Sequence, residues 1–121
     1  MINPNTVNVV IYQSATFDKS FTWTDNGEVM DMTGCELALQ IRERVKNGKL
    51  ILTASTANGM IVTIDPKAGK FKFNIPAPIT EDMDFDGAVY DLLMKRGERV
   101  CRLAQGEVML SRSNTKLSAF Q

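Results

Sequence analysis

The chain has no histidine, only two cysteines and no excess of either charge: 14 Lys and Arg stand against 14 Asp and Glu in 121 residues. The missing imidazole removes the commonest general base and the commonest transition-metal ligand. A neutral total also leaves little long-range pull on nucleic acid. Long apolar runs are absent too. The longest span a few residues, as in Val9-Val10-Ile11, against the roughly 20 needed for a helix to cross a bilayer. Met1-Ile2-Asn3-Pro4-Asn5 has neither the basic start nor the apolar stretch of a secretory signal, so the chain is expected to be made and kept in a cytoplasm. Cys35 and Cys101 lie in stretches that read as strand interiors and are expected as small buried thiols. A nucleophilic thiol would lack its base, and two thiols without imidazole cannot fill a tetrahedral zinc site. These absences argue against an enzyme and nominate no catalytic, cofactor-binding or metal-ligating residue.

What is present is the material of one folded domain: 44% hydrophobic and 23% charged residues is too apolar for disorder and ordinary for a globular protein. Alternation with period two recurs along nearly the whole chain, and no segment sustains the i, i+3, i+4, i+7 pattern of a long helix. The spacing predicts an all-β protein. Its first strand is expected at Thr6–Tyr12. The second, Ala15–Thr24, places Phe17, Phe21 and Trp23 on one face, with Lys19 as the exception on that face. Cys35–Arg44 alternates most cleanly, with Leu37, Leu39 and Ile41 on one side and Glu36, Gln40 and Arg42 on the other. Phe71, Phe73 and Ile75 alternate with Lys70, Lys72 and Asn74 until Pro76 and Pro78 end the strand.

Turn chemistry divides these runs. Asn26-Gly27, Asn47-Gly48 and Asn58-Gly59 supply the positive φ of tight hairpin turns, and Pro66-Lys67-Ala68-Gly69 supplies another turn. Ile79–Phe85 is expected to hold one helical turn capped by Thr80. Gly87–Lys95 and Glu98–Leu110 form the last hairpin. Cys101 and Leu103 have one parity and Val108 and Leu110 the other, which predicts a bulge near Ala104-Gln105-Gly106. Eight or nine short antiparallel strands close most readily as two packed sheets, so the expected fold is a β-sandwich over residues 6–110, with a small closed barrel as the alternative. Residues 1–5 and 111–121 are expected as flexible arms.

Several constellations bear on chemistry. Asp82, Asp84, Asp86 and Gly87 match the opening of an EF-hand calcium loop, but Leu93 stands where the bidentate glutamate belongs, which leaves a solvated acidic turn. Asp31-Met32-Thr33-Gly34 has the wrong spacing for an aspartic protease motif, and no second copy supplies the paired carboxylate. Basic residues gather on two hairpins, Arg42, Arg44, Lys46 and Lys49 on one and Arg96, Arg99 and Arg102 on the other, a pattern that solvates hairpin tips. Most of the nine aromatics fall on inward parities, and Tyr12 is the main candidate for an exposed one. An exposed aromatic platform keeps a carbohydrate-binding module open as a second reading.

Asp86, Ala88, Tyr90 and Leu92 reproduce the spacing around the sixth strand of immunoglobulin-like domains, where a tyrosine hydroxyl bonds back to upstream backbone in a tyrosine corner. This pattern, with the stretches Ala15–Asp25, Val29–Cys35 and Arg102–Val108, resembles small tailed-phage proteins of the collar or baseplate, similar to the immunoglobulin-like N-terminal domain of siphophage upper baseplate proteins. The resemblance spans roughly residues 7–110. It implies an immunoglobulin-like sandwich in a virion structural component, repeated in a homo-oligomeric ring when assembled and possible as a monomer in isolation. Its expected partners are other virion proteins, without nucleic acid, membrane or cofactor, and its expected location is the virion, or the host cytoplasm during assembly.

Overall fold

In the computed structural model, which describes residues 4–121, the alternating segments form eleven strands in chain order. They are β1 (Asn5–Thr6), β2 (Val9–Tyr12), β3 (Phe17–Thr22), β4 (Thr24–Asp25), β5 (Glu28–Val29), β6 (Glu36–Glu43), β7 (Leu50–Ser55), β8 (Ile61–Asp65), β9 (Lys70–Ile75), β10 (Ala88–Arg96) and β11 (Arg99–Ser111). One short helix, α1 (Ala77–Glu81), links β9 to β10. The larger sheet runs β1-β11-β10-β6-β7, with β2 also pairing β11, and the smaller runs β3-β9-β8. With the small β4-β5 hairpin and the edge strand β7 set aside, and β1 and β2 counted as one, this divides the strands as an immunoglobulin-like sandwich does, the last, sixth and third strands in one sheet and the second, fifth and fourth in the other. The sheets face one another without closing, so the barrel alternative is overturned.

The core lies between the sheets and follows the alternation. Leu37, Leu39 and Ile41 of β6, Phe71, Phe73 and Ile75 of β9, and Ala88, Tyr90, Leu92 and Met94 of β10 are all buried. Phe21, Phe71 and Phe73 form an aromatic cluster with ring centroids 5.0 to 5.9 Å apart. Lys19, the polar exception on the apolar face of β3, sits on an edge strand and carries its ammonium 5.3 Å from the Phe21 ring centroid, so its stem covers the aromatic cluster while its charge reaches water.

Four local expectations are corrected. First, the segment expected as one strand, Thr6–Tyr12, is two strands broken at Val7-Asn8, and both pair parallel to β11, so the sheet is not wholly antiparallel. Second, of the three Asn-Gly pairs only Asn26-Gly27 makes a two-residue hairpin, with φ of 53° and 81°. Asn47-Gly48 lies within a longer β6-β7 loop, and Asn58-Gly59 turns the chain from the larger sheet to the smaller. Third, the bulge falls at Leu103, because Leu92 pairs Ala104 while Leu93 pairs Arg102. The extra residue lets Leu103 and Val108 both point inward, each buried. Fourth, Thr80 is not a cap. It lies inside α1, fully buried, and its hydroxyl donates to the Ala15 carbonyl at 2.8 Å with the Ala77 carbonyl at 3.0 Å as alternative.

Candidate functional site

The N-terminal strand is seated by an unusual exchange of partners. Residues 5–6 and 9–12 keep one constant register against β11, so the break at Val7-Asn8 inserts nothing. At the break, the Asn8 side-chain oxygen accepts from the Glu107 N–H at 2.9 Å. The Val7 carbonyl is thereby free to turn inward, where it accepts from the Tyr90 hydroxyl at 2.7 Å. It lies directly over Gly106, where an added Cβ would stand 2.1 Å from the Val7 oxygen. Burial pushes the Tyr90 phenol up to about 12. Tyr90 is therefore structural, as expected, but it pins the first strand to the sheet instead of making the expected tyrosine corner, since its acceptor is 83 residues upstream.

The acidic turn expected to be solvated carries an arginine. Arg112 donates to Asp84, to the Phe85 carbonyl at 3.1 Å and to Asp86 at 3.4 Å. The hydrogen bond that Arg112 donates to Asp84 is the main reason that its guanidinium is held above its ordinary pKa. Among the described residues no group of three or more His, Cys, Asp or Glu is arranged to hold a metal ion. The segment 111–121, expected as a loose arm, is tied to this corner. The Ser113 N–H donates to the Gln13 side chain at 3.0 Å, the Leu117 N–H donates to the Glu81 carboxylate at 2.7 Å, and Leu117–Phe120 forms a 3-10 turn.

Cys35 and Cys101 are free thiols. Cys101 pairs Met94, and β10 separates its strand from β6, which Cys35 immediately precedes. Two strand spacings put the cysteines roughly 10 Å apart before any offset along the strands, beyond the reach of a disulfide. The Arg96 guanidinium donates to the Cys35 sulfur at 3.2 Å and to the Asp31 carbonyl at 2.6 Å. Asp31 itself is held below the usual carboxylate range, chiefly by the Thr33 hydroxyl and then the Thr33 N–H, so the Asp31–Gly34 stretch is a turn with its carboxylate turned back on its own backbone.

The remaining features are surfaces. An open saddle of about 680 Å³ on the outer face of the larger sheet is lined by Asn8, Gln40, Arg42, Asp91, Gln105 and Glu107 among others, with no exposed aromatic. Its charges are largely paired within the protein, Arg44 to Glu107 at 2.8 Å and Arg102 to Asp91 at 3.5 Å. Tyr12 is 62% exposed, as the alternation predicted, but its exposed apolar neighbours are Val10 and Met109, not the saddle. Sequence reasoning missed this patch, because Met109 and Val10 become neighbours only when the first and last strands pair.

The fold is similar to that of the N-terminal domain of phage TP901-1 ORF48. The likeness covers 90% of each chain, with a TM-score of 0.57 and 12% sequence identity. It therefore spans nearly the whole of the phage domain, while the side chains are almost entirely replaced. No protein-family model matches the chain, and no curated protein matches it in sequence.

Proposed function

We propose that the protein is a non-enzymatic structural component of a tailed phage or prophage virion, in the tail, collar or baseplate, acting by assembly with other virion proteins. The observation that carries this reading is the likeness to the phage domain along 90% of both chains. The surface fits it: Arg44, Arg102 and Arg42 pair with Glu107, Asp91 and Gln40 on the larger sheet, and beside them the molecule carries exposed strand edges and an apolar patch, which suit attachment to other proteins. No helix among the described residues is long and apolar enough to cross a membrane.

In this reading the domain is placed around the particle by rotational symmetry, as a ring of copies, in contact with neighbouring virion proteins and with no role for nucleic acid or a cofactor. The test is mass spectrometry of purified particles from the strain that encodes the chain, with light scattering of the protein alone and co-expressed with tail proteins. Stoichiometric presence in particles is expected. Absence from particles, with a monomer under every co-expression condition, would overturn the proposal.

A further inference from the structure

The pairs Asn26-Gly27, Asn47-Gly48 and Asn58-Gly59 are identical in sequence, and the fold holds each differently. An asparagine followed by glycine brings an electrophile and a nucleophile together. The next main-chain nitrogen can attack the side-chain amide carbon, and glycine, without a side chain, leaves that nitrogen unshielded. Ring closure requires the amide to swing onto the nitrogen, so hydrogen bonds that hold the amide elsewhere prevent the approach.

The Asn58 amide is held on both sides. Its oxygen accepts from the Ser55 and Met60 N–H groups, each at 3.0 Å, and its nitrogen donates to the Thr53 carbonyl at 2.8 Å. Asn26 is held by its backbone. With Gly27 it makes the turn closed by the Thr24–Val29 and Asp25–Glu28 pairs and by the Met30 N–H on the Trp23 carbonyl, so the peptide between them cannot rotate without opening the hairpin. Asn47 has neither restraint. It is exposed, with φ of 60°, in the loop 44–49, whose ends are joined by the Glu43 N–H donating to the Lys49 carbonyl at 3.0 Å. Among the described residues neither its side chain nor the Gly48 N–H has a hydrogen-bond partner.

We propose that Asn47-Gly48 is a site of spontaneous modification, which converts the asparagine through a cyclic imide to aspartate or isoaspartate. The Gly48 nitrogen bonds to the Asn47 Cγ, the Cγ–Nδ2 bond breaks, and the proton of the Gly48 nitrogen leaves on the departing ammonia. Water then opens the ring at either carbonyl. Opening at Cγ gives aspartate, and opening at the main-chain carbonyl gives isoaspartate, in which the chain runs through Cγ. No oxidant or reductant is needed. The product adds a negative charge to a chain whose net charge is zero, beside Lys46 and Lys49 on the basic hairpin. Gly48 packs so closely on Glu43 that an added Cβ would stand 2.0 Å from the Glu43 oxygen. That contact bears on the Gly48 α-carbon, whereas the ring closes on its nitrogen; the extra methylene of isoaspartate then displaces the loop from Glu43.

The test ages the native chain, folded and in concentrated urea, in mildly alkaline buffer made with heavy-oxygen water, and reads the label at each asparagine by peptide mapping. In urea the three pairs should convert at similar rates. In the folded protein Asn47 should convert first and Asn26 more slowly, with Asn58 slower than Asn47 by on the order of a hundredfold, since three hydrogen bonds must break before its ring can close. Both aspartate and isoaspartate are expected at position 47. Conversion of Asn58 as fast as Asn47 in the fold, or the same ranking in urea, would overturn the assignment, and aspartate alone at position 47 would replace the imide with direct hydrolysis. Ion exchange adds a check: an Asn47→Gln chain should keep one peak on ageing, and an acidic shoulder growing at the native rate would also reject the site.

Discussion

The Tyr90 hydroxyl and the Val7 carbonyl, 2.7 Å apart, join the sixth strand of the sandwich to its first across 83 residues of chain. The bond exists because three local choices agree. Asn8 takes over the Glu107 N–H, the Val7 carbonyl turns inward, and Gly106 leaves the space that it enters. A buried carbonyl without a partner costs about 1–3 kcal/mol, so the tyrosine is what makes the interruption of the parallel ladder tolerable.

Replacing Tyr90 with phenylalanine keeps the ring in the core and removes only the donor. The expected loss is about 1–2 kcal/mol, read as a lower midpoint in urea or thermal unfolding. An unchanged midpoint would show that the Val7 carbonyl finds another donor.

The same hydroxyl gives an alkaline signature. An unfolded tyrosine ionises near 10, while burial pushes Tyr90 up to about 12. The proton is therefore held more tightly in the folded state, and the contribution of this group is complete below pH 10 and lost as pH rises from 10 to 12. Urea midpoints across that window should fall more steeply for the native protein than for Tyr90→Phe. Parallel curves would refute the assignment.

Gly106→Ala places a methyl group 2.1 Å from the Val7 oxygen and 2.7 Å from its carbon, both backbone atoms that can move only with the strand. The expected cost is about 2–3 kcal/mol, with amide exchange accelerated selectively at residues 5–9. Uniform acceleration over all strands would argue against a local displacement.

Thr80→Val removes a hydroxyl from a fully buried position and leaves the Ala15 carbonyl without its 2.8 Å donor. The volume is nearly unchanged, so the expected loss of about 1–3 kcal/mol reports the hydrogen bond itself. Thr80→Ser, which keeps the donor and deletes a methyl, should cost about 1 kcal/mol. The reverse order of the two variants would point to packing instead.

Arg112 already pairs with both Asp84 and Asp86, and no group of three or more His, Cys, Asp or Glu among the described residues is arranged to hold a metal ion, so millimolar calcium should leave the melting temperature unchanged. A calcium-dependent rise, enlarged by Arg112→Ala, would restore the acidic turn as a cation site.

Much of the fold was legible because a half-buried strand writes its orientation into every second residue. The inward faces of β6, β9 and β10 can be read from Leu37-x-Leu39-x-Ile41, Phe71-x-Phe73-x-Ile75 and Tyr90-x-Leu92-x-Met94. The parity change in β11 likewise announced a bulge, displaced only slightly from where Gly106 suggested. Gly106 misled because its smallness serves the Val7 carbonyl from another strand. Thr80 misled because a threonine before acidic residues has the pattern of a cap, whereas its actual acceptor, Ala15, lies 65 residues away. The Arg112 pairing with Asp84 and Asp86 was illegible for the same reason.

The amino-acid sequence by itself determined the period, the inward faces and the places where the chain can turn, since these rest on side-chain alternation and local backbone preference. Only the tertiary structure decided that the first strand runs parallel to the last, which acceptor Tyr90 reaches, and that Val10, Tyr12 and Met109 share one exposed patch. Those outcomes depend on groups far apart in the chain being brought within hydrogen-bonding or van der Waals distance, and no local pattern records that meeting.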